Sequence, residues 1–407
     1  MPSINRHLAL FVGTLALTLG SAPAQSQPAQ DGLQICLASL QAAALRSGVQ
    51  PETYARLTTG LQADLTLLDK LNYQPEFKLP IWDYLSGLVD EERVSDGLAA
   101  LRQHAEVLQR IAARFAVDPA TVVAVWGVES NFGRLTGNYP LLQSLGTLSC
   151  FGRRQAYFQG EFYAALRILQ RGDIAPERLN GSWAGAFGHT QFMPQTYERL
   201  AVDFDGDGRR DLVDNIDDAL ASTANFLHRG GWRSELPWGV EVRLPSGFDS
   251  RLGGRKNKRS LDDWVRSGLL LVNGSPLSES GLQGEKLGLL MLAGSNGPAF
   301  LTTRNFDVIY GYNAAESYAL AIAHLADRLR GGGSFKTAWP TDDPGISRAE
   351  RRELQTLLAA RGHAIGDIDG VLGEKSRSAI KIEQERLGLP VNGRGGLKIL
   401  QSLRGGR

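Results

Sequence analysis

Apolar side chains recur every three or four positions through most of the chain from Leu33 onward, which is the period of a helix with one buried face. The clearest apolar stripe runs from residue 98 to residue 117: Leu98, Leu101, Ala105, Leu108, Ala112 and Phe115. Asp118 and Pro119 then supply an N-cap and a first-turn proline. The pattern predicts one helix over 98–117 and a second helix that begins after Asp118 and ends near Glu129.

The same period, with the glycines that close each helix, predicts three further helices. They cover residues 158–170, closed by Gly172, residues 217–228, closed by Gly230 and Gly231, and residues 315–330, which precede three glycines. Residues 238–249 and 269–274 instead have the composition of short strands. The expected fold class is therefore mainly α, with a small β insertion.

After residue 330 the composition of the chain changes twice. Residues 331–346 contain glycines and prolines without a helical period, which is typical of an interdomain linker. The tail, residues 347–404, places Leu354, Leu357 and Leu358 on one helix face and continues with a glycine-rich turn and a further helix. It is predicted to be a small three-helix C-terminal module.

Residues 1–24 have the pattern of an export signal. Arg6 and His7 precede an apolar stretch from Leu8 to Gly20, and small residues then offer a cleavage site. The apolar stretch is shorter than the roughly 20 residues that span a bilayer, and no cysteine follows that could carry a lipid. We expect an exported chain with no transmembrane anchor after signal cleavage.

The cysteines and the net charge further restrict the class of protein to which the chain can belong. Cys36 and Cys150 are the only two cysteines, and export would allow them to form a disulfide, although two buried thiols are the alternative. The formal charge is +1 at pH 7, which excludes the strong basic footprint of a nucleic-acid-binding chain. A basic cluster at 251–259 is interpreted as a solvated loop.

Glu129 is the strongest candidate for chemistry. It follows Trp126 and Val128 near the C-terminal end of a helix, where apolar neighbours and the helix dipole both disfavour an ionised carboxyl. Ser130, Asn131 and a turn at Gly133 come directly after it. The pattern predicts a proton donor at the rim of a cleft; an ordinary surface glutamate is the alternative.

A second candidate site is an alternation of acids between residues 203 and 208. Asp203, Asp205 and Asp207 precede Gly208, which is the oxygen-rich opening of an EF-hand loop. Arg209 would contribute its backbone carbonyl, and the twelfth loop position is Asp214. The pattern predicts a structural Ca²⁺ site; a solvated acidic turn is the alternative.

Several of these segments together resemble one family. "WGVESNFG", 126–133, is followed by "GSWAGAFGHTQFMPQTY", 181–197, "AVDFDGDGRRDLVD", 201–214, and "NFDVIYGYNAAESY", 305–318. This order is similar to that of the lytic murein transglycosylase B family, in its soluble, exported form. The tail, through Asp369, Gly370 and Gly373, resembles a peptidoglycan-binding module.

The resemblance implies a lysozyme-like α+β catalytic domain over 31–330, periplasmic localisation and peptidoglycan glycan strands as substrate. It assigns Glu129 as the sole catalytic acid and base, with no catalytic cofactor, in a reaction that leaves 1,6-anhydro-N-acetylmuramic acid ends. In this family the acidic loop is longer than a standard EF-hand loop, and its last metal ligand corresponds to Asp217, with Asp214 as the second candidate. Cell-wall synthase or division complexes are candidate partners. The substrate-binding residues that it implies are Ser182, Gln191, Phe192, Tyr312, Asn313, Tyr318, Arg153, Arg154, Tyr157 and Tyr84.

Two alternative functions stay open at this point. A hydrolytic muramidase would use water and a second carboxylate, for which Glu161 and the acidic run are the candidates. A non-catalytic peptidoglycan-binding scaffold would only hold the glycan, and the presence of Glu129 argues against it. His189 and Thr190 receive no role.

Overall fold

The computed structural model describes residues 27–71 and 79–405. The predicted export signal, 1–24, lies outside these residues. Where the chain is described, helices dominate, and the strands are few and short.

One helical layer contains the N-terminal segment and the middle of the chain. Leu33, Leu145 and Phe162 are among the fully buried residues of its core. The layer consists of α1 (Gln27–Arg46), α2 (Pro51–Thr58), α3 (Leu67–Lys70), α8 (Leu141–Phe151), α9 (Gln155–Arg171) and α10 (Pro194–Leu200). The predicted helix at 158–170 is confirmed within α9, and Gly172 caps it in the left-handed conformation.

A second layer surrounds the helix that carries Glu129, α7 (Pro119–Ser130), in which residues 120–127 are all buried. Asp118 caps this helix by accepting the Ala120 amide at 2.9 Å, as predicted. Around it lie α4 (Ile81–Leu88), α5 (Glu91–Gln103), α6 (Ala105–Phe115), α11 (Ile216–Arg229), α13 (Arg304–Asn313) and α14 (Glu316–Leu329). The single helix predicted over 98–117 is wrong, because the chain breaks at His104 and forms α5 and α6.

The β insertion lies between α11 and α13. β3 (Gly239–Arg243), β4 (Gly254–Ser260), β5 (Leu270–Leu271), β6 (Lys286–Leu290) and β7 (Ala299–Thr302) form an antiparallel sheet in the order β4-β6-β7-β3-β5. The short helix α12 (Leu261–Arg266) buries Trp264 against this sheet. β4 includes most of the basic cluster that was predicted to be a loop, and Arg255 within it is buried. A separate two-stranded pair joins β1 (Tyr139–Pro140) to β2 (Asn180–Gly181).

The C-terminal module contains α15 (Arg348–Ala360), α16 (Glu374–Arg386) and α17 (Leu397–Arg404), with its own apolar core. The preceding segment, 331–346, has no helix or strand, yet it packs against α14 and β3. Phe335 stacks on His324 at 3.9 Å between ring centroids, and the Glu241 carboxylate accepts the Lys336 and Thr337 amides at 2.8 and 2.7 Å. This segment therefore holds the module in a defined place.

Cys36 of α1 and Cys150 of α8 form a disulfide across 114 residues of sequence. The sequence left this pairing open, since it does not give the distance between two helices. Among the described residues no single helix has the length and apolar composition to cross a membrane; only α6 and α7 taken together, with a 112° bend between them, meet that criterion.

Candidate active site and acidic loop

Glu129 lies in the last turn of α7 and is half-buried. The helix turns sharply after it: Asn131 and Phe132 both adopt left-handed backbone conformations, with φ of 50° and 58°. Tyr318 of α14 donates its hydroxyl hydrogen bond to Oε1 of Glu129. The carboxyl group predicted from the sequence thus stands at the end of a buried helix, with an aromatic donor behind it.

Two tyrosines form the wall beside this carboxyl group. The Tyr312 and Tyr318 rings are stacked at 6.4 Å between centroids, and the Tyr312 hydroxyl donates to the Thr190 carbonyl oxygen at 2.8 Å. Burial raises the pKa of both tyrosines well above the usual range, and the nearby negative charge of Glu129 raises it further. Both hydroxyls therefore remain hydrogen-bond donors across the physiological pH range.

Phe192 lies beneath this wall. It is 1% exposed, and its ring contacts those of Tyr312 and Phe226 at centroid distances of 5.8 and 6.1 Å. A ring so deeply buried has no face to offer a sugar in this conformation. Its contribution is to hold Tyr312 in place, which corrects the expectation of direct contact.

The small-residue segment from Gly181 onward brings the main chain close to the turn after α7. A Cβ on Gly137 would lie 2.2 Å from the Gly181 carbonyl oxygen, so glycine is needed there. Gln191 has φ of 52° and donates its amide to the carbonyl oxygens of Thr136 and Gly188, both at 2.9 Å. The Ser182 hydroxyl accepts the Ala186 amide at 3.0 Å. Both polar side chains are half-buried at the edge of the segment.

The other predicted substrate residues occupy different positions. Arg153 and Arg154 lie at the turn before α9, where Arg153 donates to the Leu71 carbonyl oxygen at 2.7 Å and Arg154 covers the exposed Tyr157 ring at 4.4 Å. Asn313 is exposed at the end of α13. Tyr84 on α4 is close enough to Tyr318 to affect its pKa. Tyr84 thus lies near the Glu129 wall, whereas the Arg153 group is a separate exposed cluster.

His189 was given no role from the sequence, yet it connects several parts of the site. Its carbonyl oxygen accepts the Ser130 hydroxyl, its backbone amide donates to the Leu212 carbonyl oxygen at 2.8 Å, and its Nδ1 accepts the Trp126 indole N–H at 3.2 Å. Burial lowers its pKa. The neutral imidazole that this favours can accept from Trp126 and so braces the residues on both sides of Glu129. Only the "GHTQF" context pointed to it, and that context does not reveal its partners.

The acidic loop brings three carboxylates together, of which two were predicted from the sequence and one was not. Asp203, Asp205 and Asp218 each offer an oxygen within 4.8 Å of the others. Asp217, the favoured closing residue, instead pairs with Arg110 at 3.6 Å, and Asp214 pairs with Arg178. The correction follows from α11: successive residues of a helix point about 100° apart, so Asp218 faces the loop when Asp217 does not.

Asp207 and Arg209 lie at the tip of this loop. The Asp207 carboxylate accepts the Arg209 amide at 2.8 Å.

The electrostatics of the three clustered carboxylates favour a bound cation. Burial raises the pKa of Asp218 to about 6, with the charges of Asp205 and Asp203 adding to the effect. Three clustered carboxylate oxygens whose charges repel one another fit a hard cation such as Ca²⁺.

Comparison with known families gives the decisive observation. The family model of the transglycosylase SLT domain matches residues 32–327. The chain belongs to this family of peptidoglycan lytic transglycosylases. The peptidoglycan binding domain model matches residues 347–403 of the transglycosylase, which is the segment predicted to be the C-terminal module.

Individual relatives agree with this assignment. The transglycosylase is 32% identical over 252 residues to the membrane-bound lytic murein transglycosylase B of Escherichia coli K12, covering 60% of this chain and 66% of the relative. SltB3 from Pseudomonas aeruginosa, solved in complex with NAG-anhNAM-pentapeptide, is 46% identical with a TM-score of 0.73, covering 91% of this chain and 99% of that one. The Escherichia coli lytic transglycosylase Slt35, solved in complex with calcium, is 27% identical with a TM-score of 0.62, covering 74% and 93%. The predicted lysozyme-like fold with a small helical module is confirmed.

Proposed function

We propose that this transglycosylase cleaves the β-1,4 bond between N-acetylmuramic acid and N-acetylglucosamine in peptidoglycan, with Glu129 as its single acid and base. The observation that carries the proposal is the carboxyl group at the end of a buried helix, hydrogen-bonded to Tyr318 beside a wall of tyrosines. The complex of SltB3 with NAG-anhNAM-pentapeptide supports an anhydro product.

The reaction needs one carboxyl because the substrate supplies the rest. Glu129 donates its proton to the glycosidic oxygen as the bond from that oxygen to C1 breaks. The C6 hydroxyl oxygen of the same muramic acid then attacks C1 and returns its proton to Glu129, which closes the 1,6-anhydro ring. An intramolecular nucleophile has a high effective concentration, and the acetamido group can stabilise C1.

The arrangement of the remaining acids supports this route over hydrolysis. Glu161, a candidate second carboxylate, is 3% exposed and accepts the Gln195 amide at 2.9 Å. Asp203 and Asp205 belong to the acidic loop. These acids are engaged elsewhere in the fold, whereas hydrolysis with inversion requires a carboxylate that activates water across the sugar ring.

The substrate wall that we propose consists of Tyr312 and Tyr84, with Ser182 and Gln191 at its edge. Tyr318, predicted from the sequence to bind substrate, is 3% exposed and instead orients Glu129 from behind. Phe192 supports Tyr312 from below. Arg153, Arg154 and Tyr157 form an outlying cationic and aromatic surface suited to a longer glycan or its peptide, and Asn313 lies exposed beside the wall.

Calcium has a structural role in this proposal. Asp203, Asp205 and Asp218 would hold the ion, with Asp207 and the Arg209 carbonyl as further oxygens of the loop. A bound ion would offset the repulsion among these carboxylates and tie the loop to α11; the calcium complex of Slt35 supports the assignment. No cofactor takes part in the chemistry.

The setting that we propose is the periplasm, where the predicted export signal would deliver the chain and where the Cys36–Cys150 disulfide is stable. The C-terminal module would bind the peptidoglycan strand next to the catalytic domain. Cell-wall synthase and division complexes remain predicted partners.

Mass spectrometry of digested peptidoglycan tests the reaction. Purified protein should release muropeptides one water lighter than reducing muropeptides, and Glu129→Gln, which keeps the shape of the side chain, should release none. Reducing products would establish a hydrolytic muramidase. An intact Glu129→Gln variant with full activity would refute the role of Glu129, and glycan binding without any product from the unaltered protein would favour the scaffold alternative.

A further inference from the structure

The C-terminal module meets the catalytic domain through a buried ionic network rather than a loose tether. Arg348, the first residue of α15, is 8% exposed, and its Asp90 partner is 6% exposed. The Arg348 amide and Nε donate to Asp90 Oδ2 at 2.9 and 3.1 Å. Burial alone would raise the pKa of Asp90, but hydrogen bonds from Arg348 and the Arg93 amide hold it below the usual range.

This network reaches the helix that carries Glu129 at two points. A second guanidinium nitrogen of Arg348 donates to the Asn131 side-chain oxygen at 2.6 Å. Asp90 also caps α5 by accepting the Arg93 amide at 2.8 Å, and the Arg93 guanidinium donates to the Gly127 carbonyl oxygen in the last turn of α7 at 2.5 Å. Glu129 lies between these two anchored positions.

The turn at Asn131 needs such support. Two successive residues without glycine's freedom, Asn131 and Phe132, are left-handed, a conformation that costs an L-residue about 1–2 kcal/mol. The Phe132 ring fills the space beside two glycines, since a Cβ on Gly127 or Gly97 would lie 2.7 or 3.3 Å from its Cζ. Phe132 is thus held from within the catalytic domain, and Asn131 is held by the module.

We propose that Arg348 of the C-terminal module is a positioning residue for catalysis: through Asn131 and Asp90 it fixes the end of α7 and hence the orientation of Glu129. The module would then contribute to turnover as well as to wall binding. This inference rests on the proposed role of Glu129.

Arg352 provides a matched control on the same helix. It pairs with Glu92 at 2.7 Å across the same interface, but the two side chains are 36% and 39% exposed. Among the described residues, neither side chain forms a hydrogen bond or ion pair with α7. Exposed ion pairs contribute little to stability. Loss of Arg352 should therefore remove an ion pair from the interface between the module and the catalytic domain without moving Glu129.

The experiment compares Arg348→Met with Arg352→Met in the full chain. The assay uses a soluble NAG–NAM oligosaccharide at saturating concentration, alongside co-sedimentation with insoluble peptidoglycan. We expect Arg348→Met to lower kcat about 10- to 100-fold, because small misplacements of a reacting group have effects of that size. KM and co-sedimentation should stay within about twofold, and Arg352→Met should leave all three unchanged. An Arg348→Met enzyme with normal kcat, or one that loses only co-sedimentation, would overturn the inference.

A second variant covers a failure of Arg348→Met to fold. Asn131→Gly keeps the left-handed turn and the Arg348–Asp90 pair while removing the accepting oxygen, so it should lower kcat about tenfold, and in combination with Arg348→Met it should add little. Normal kcat in Asn131→Gly would also overturn the inference. Activity retained by Glu129→Gln would instead refute the proposed function, so the two failures are distinguishable.

Discussion

At the scale of single residues, the orientation of the Glu129 side chain depends on Tyr318. The tyrosine is 3% exposed, and its hydroxyl donates to Oε1 of Glu129. A hydrogen bond of this kind fixes the orientation of the Glu129 carboxyl group toward the wall. The hydroxyl stays protonated because burial, with the charge of Glu129, raises the pKa of Tyr318 well above its usual range.

Tyr318→Phe should therefore lower kcat by about tenfold or more with little change in KM, since a hydrogen bond to a charged group contributes about 1.5–3 kcal/mol. Steady-state kinetics on a soluble glycan would measure the effect. The control is Tyr163→Phe, a tyrosine of α9 whose hydroxyl is buried and has no hydrogen-bond partner among the described residues. Unchanged kcat in Tyr318→Phe would mean that Glu129 is oriented by other groups.

At the scale of elements, the acidic loop and α7 are connected through one short segment. The Leu212 carbonyl oxygen, at the end of the loop, accepts the His189 amide at 2.8 Å, and the His189 carbonyl accepts the hydroxyl of Ser130. These two hydrogen bonds connect the position of the loop to that of Ser130, the residue next to Glu129. An ion in the loop would act on the site through structure alone.

Asp218→Asn and Asp217→Asn should differ in calcium binding. The unaltered protein should gain thermal stability on addition of calcium, by about 2.7 kcal/mol at a concentration 100 times Kd. Asp217→Asn should keep this gain, because Asp217 faces Arg110, whereas Asp218→Asn should lose it. Differential scanning calorimetry with and without calcium makes the comparison, and the reverse pattern would mean that the loop closes on Asp217.

At the scale of the whole molecule, two features join distant parts of the chain. The Cys36–Cys150 disulfide closes a loop with 114 residues of sequence separation, and His324 of α14 stacks on Phe335 of the segment that leads to the module. Each feature makes stability depend on a solution condition: the first on redox state and the second on pH.

Removal of the disulfide with Cys36→Ala and Cys150→Ala should cost about 2–5 kcal/mol of unfolding free energy, because the cross-link restricts the unfolded chain. Urea unfolding followed by circular dichroism would measure the loss. A reductant should lower the midpoint of the unaltered protein and leave that of the double variant in place. A reductant effect on the double variant would point to another cause.

His324 should make the fold sensitive to mild acid. Burial, together with a smaller contribution from the charge of Arg328, lowers the pKa of His324 to about 4. In the unfolded chain the pKa of this histidine is near 6.5, so as the pH falls the unfolded state takes up a proton before the folded state does. The contribution of His324 to folding stability is therefore complete above about pH 6.5 and is lost as the pH falls toward 4. This group alone should account for about 2–3 kcal/mol between pH 7 and pH 4.5.

His324→Phe should remove that part of the acid loss and can retain the ring stacking on Phe335. The measurement is the difference in unfolding free energy between pH 7 and pH 4.5 for the variant and for the unaltered protein. Equal losses in the two proteins would show that His324 is not protonated on unfolding in this range.

The sequence by itself determined the features that depend on local order along the chain. Helical period and capping placed α7 and its Asp118 cap, because a helix and its end are specified by residues a few positions apart. The motif order singled out Glu129, whose catalytic role stays a prediction. The alternation of acids located the acidic loop, because its residues are also close together in the sequence. The sequence did not reveal the break at His104 that separates α5 from α6, because the apolar stripe continues across it.

Only the tertiary structure decided which distant residues meet. It placed Asp218 rather than Asp217 in the loop, buried Phe192 under Tyr312, paired Cys36 with Cys150, and set Arg348 against Asp90 and Asn131. These contacts join helices and loops that are not adjacent in the sequence, and they depend on which face each helix turns toward its neighbours. That orientation is fixed by packing of the whole core, which local sequence patterns do not specify.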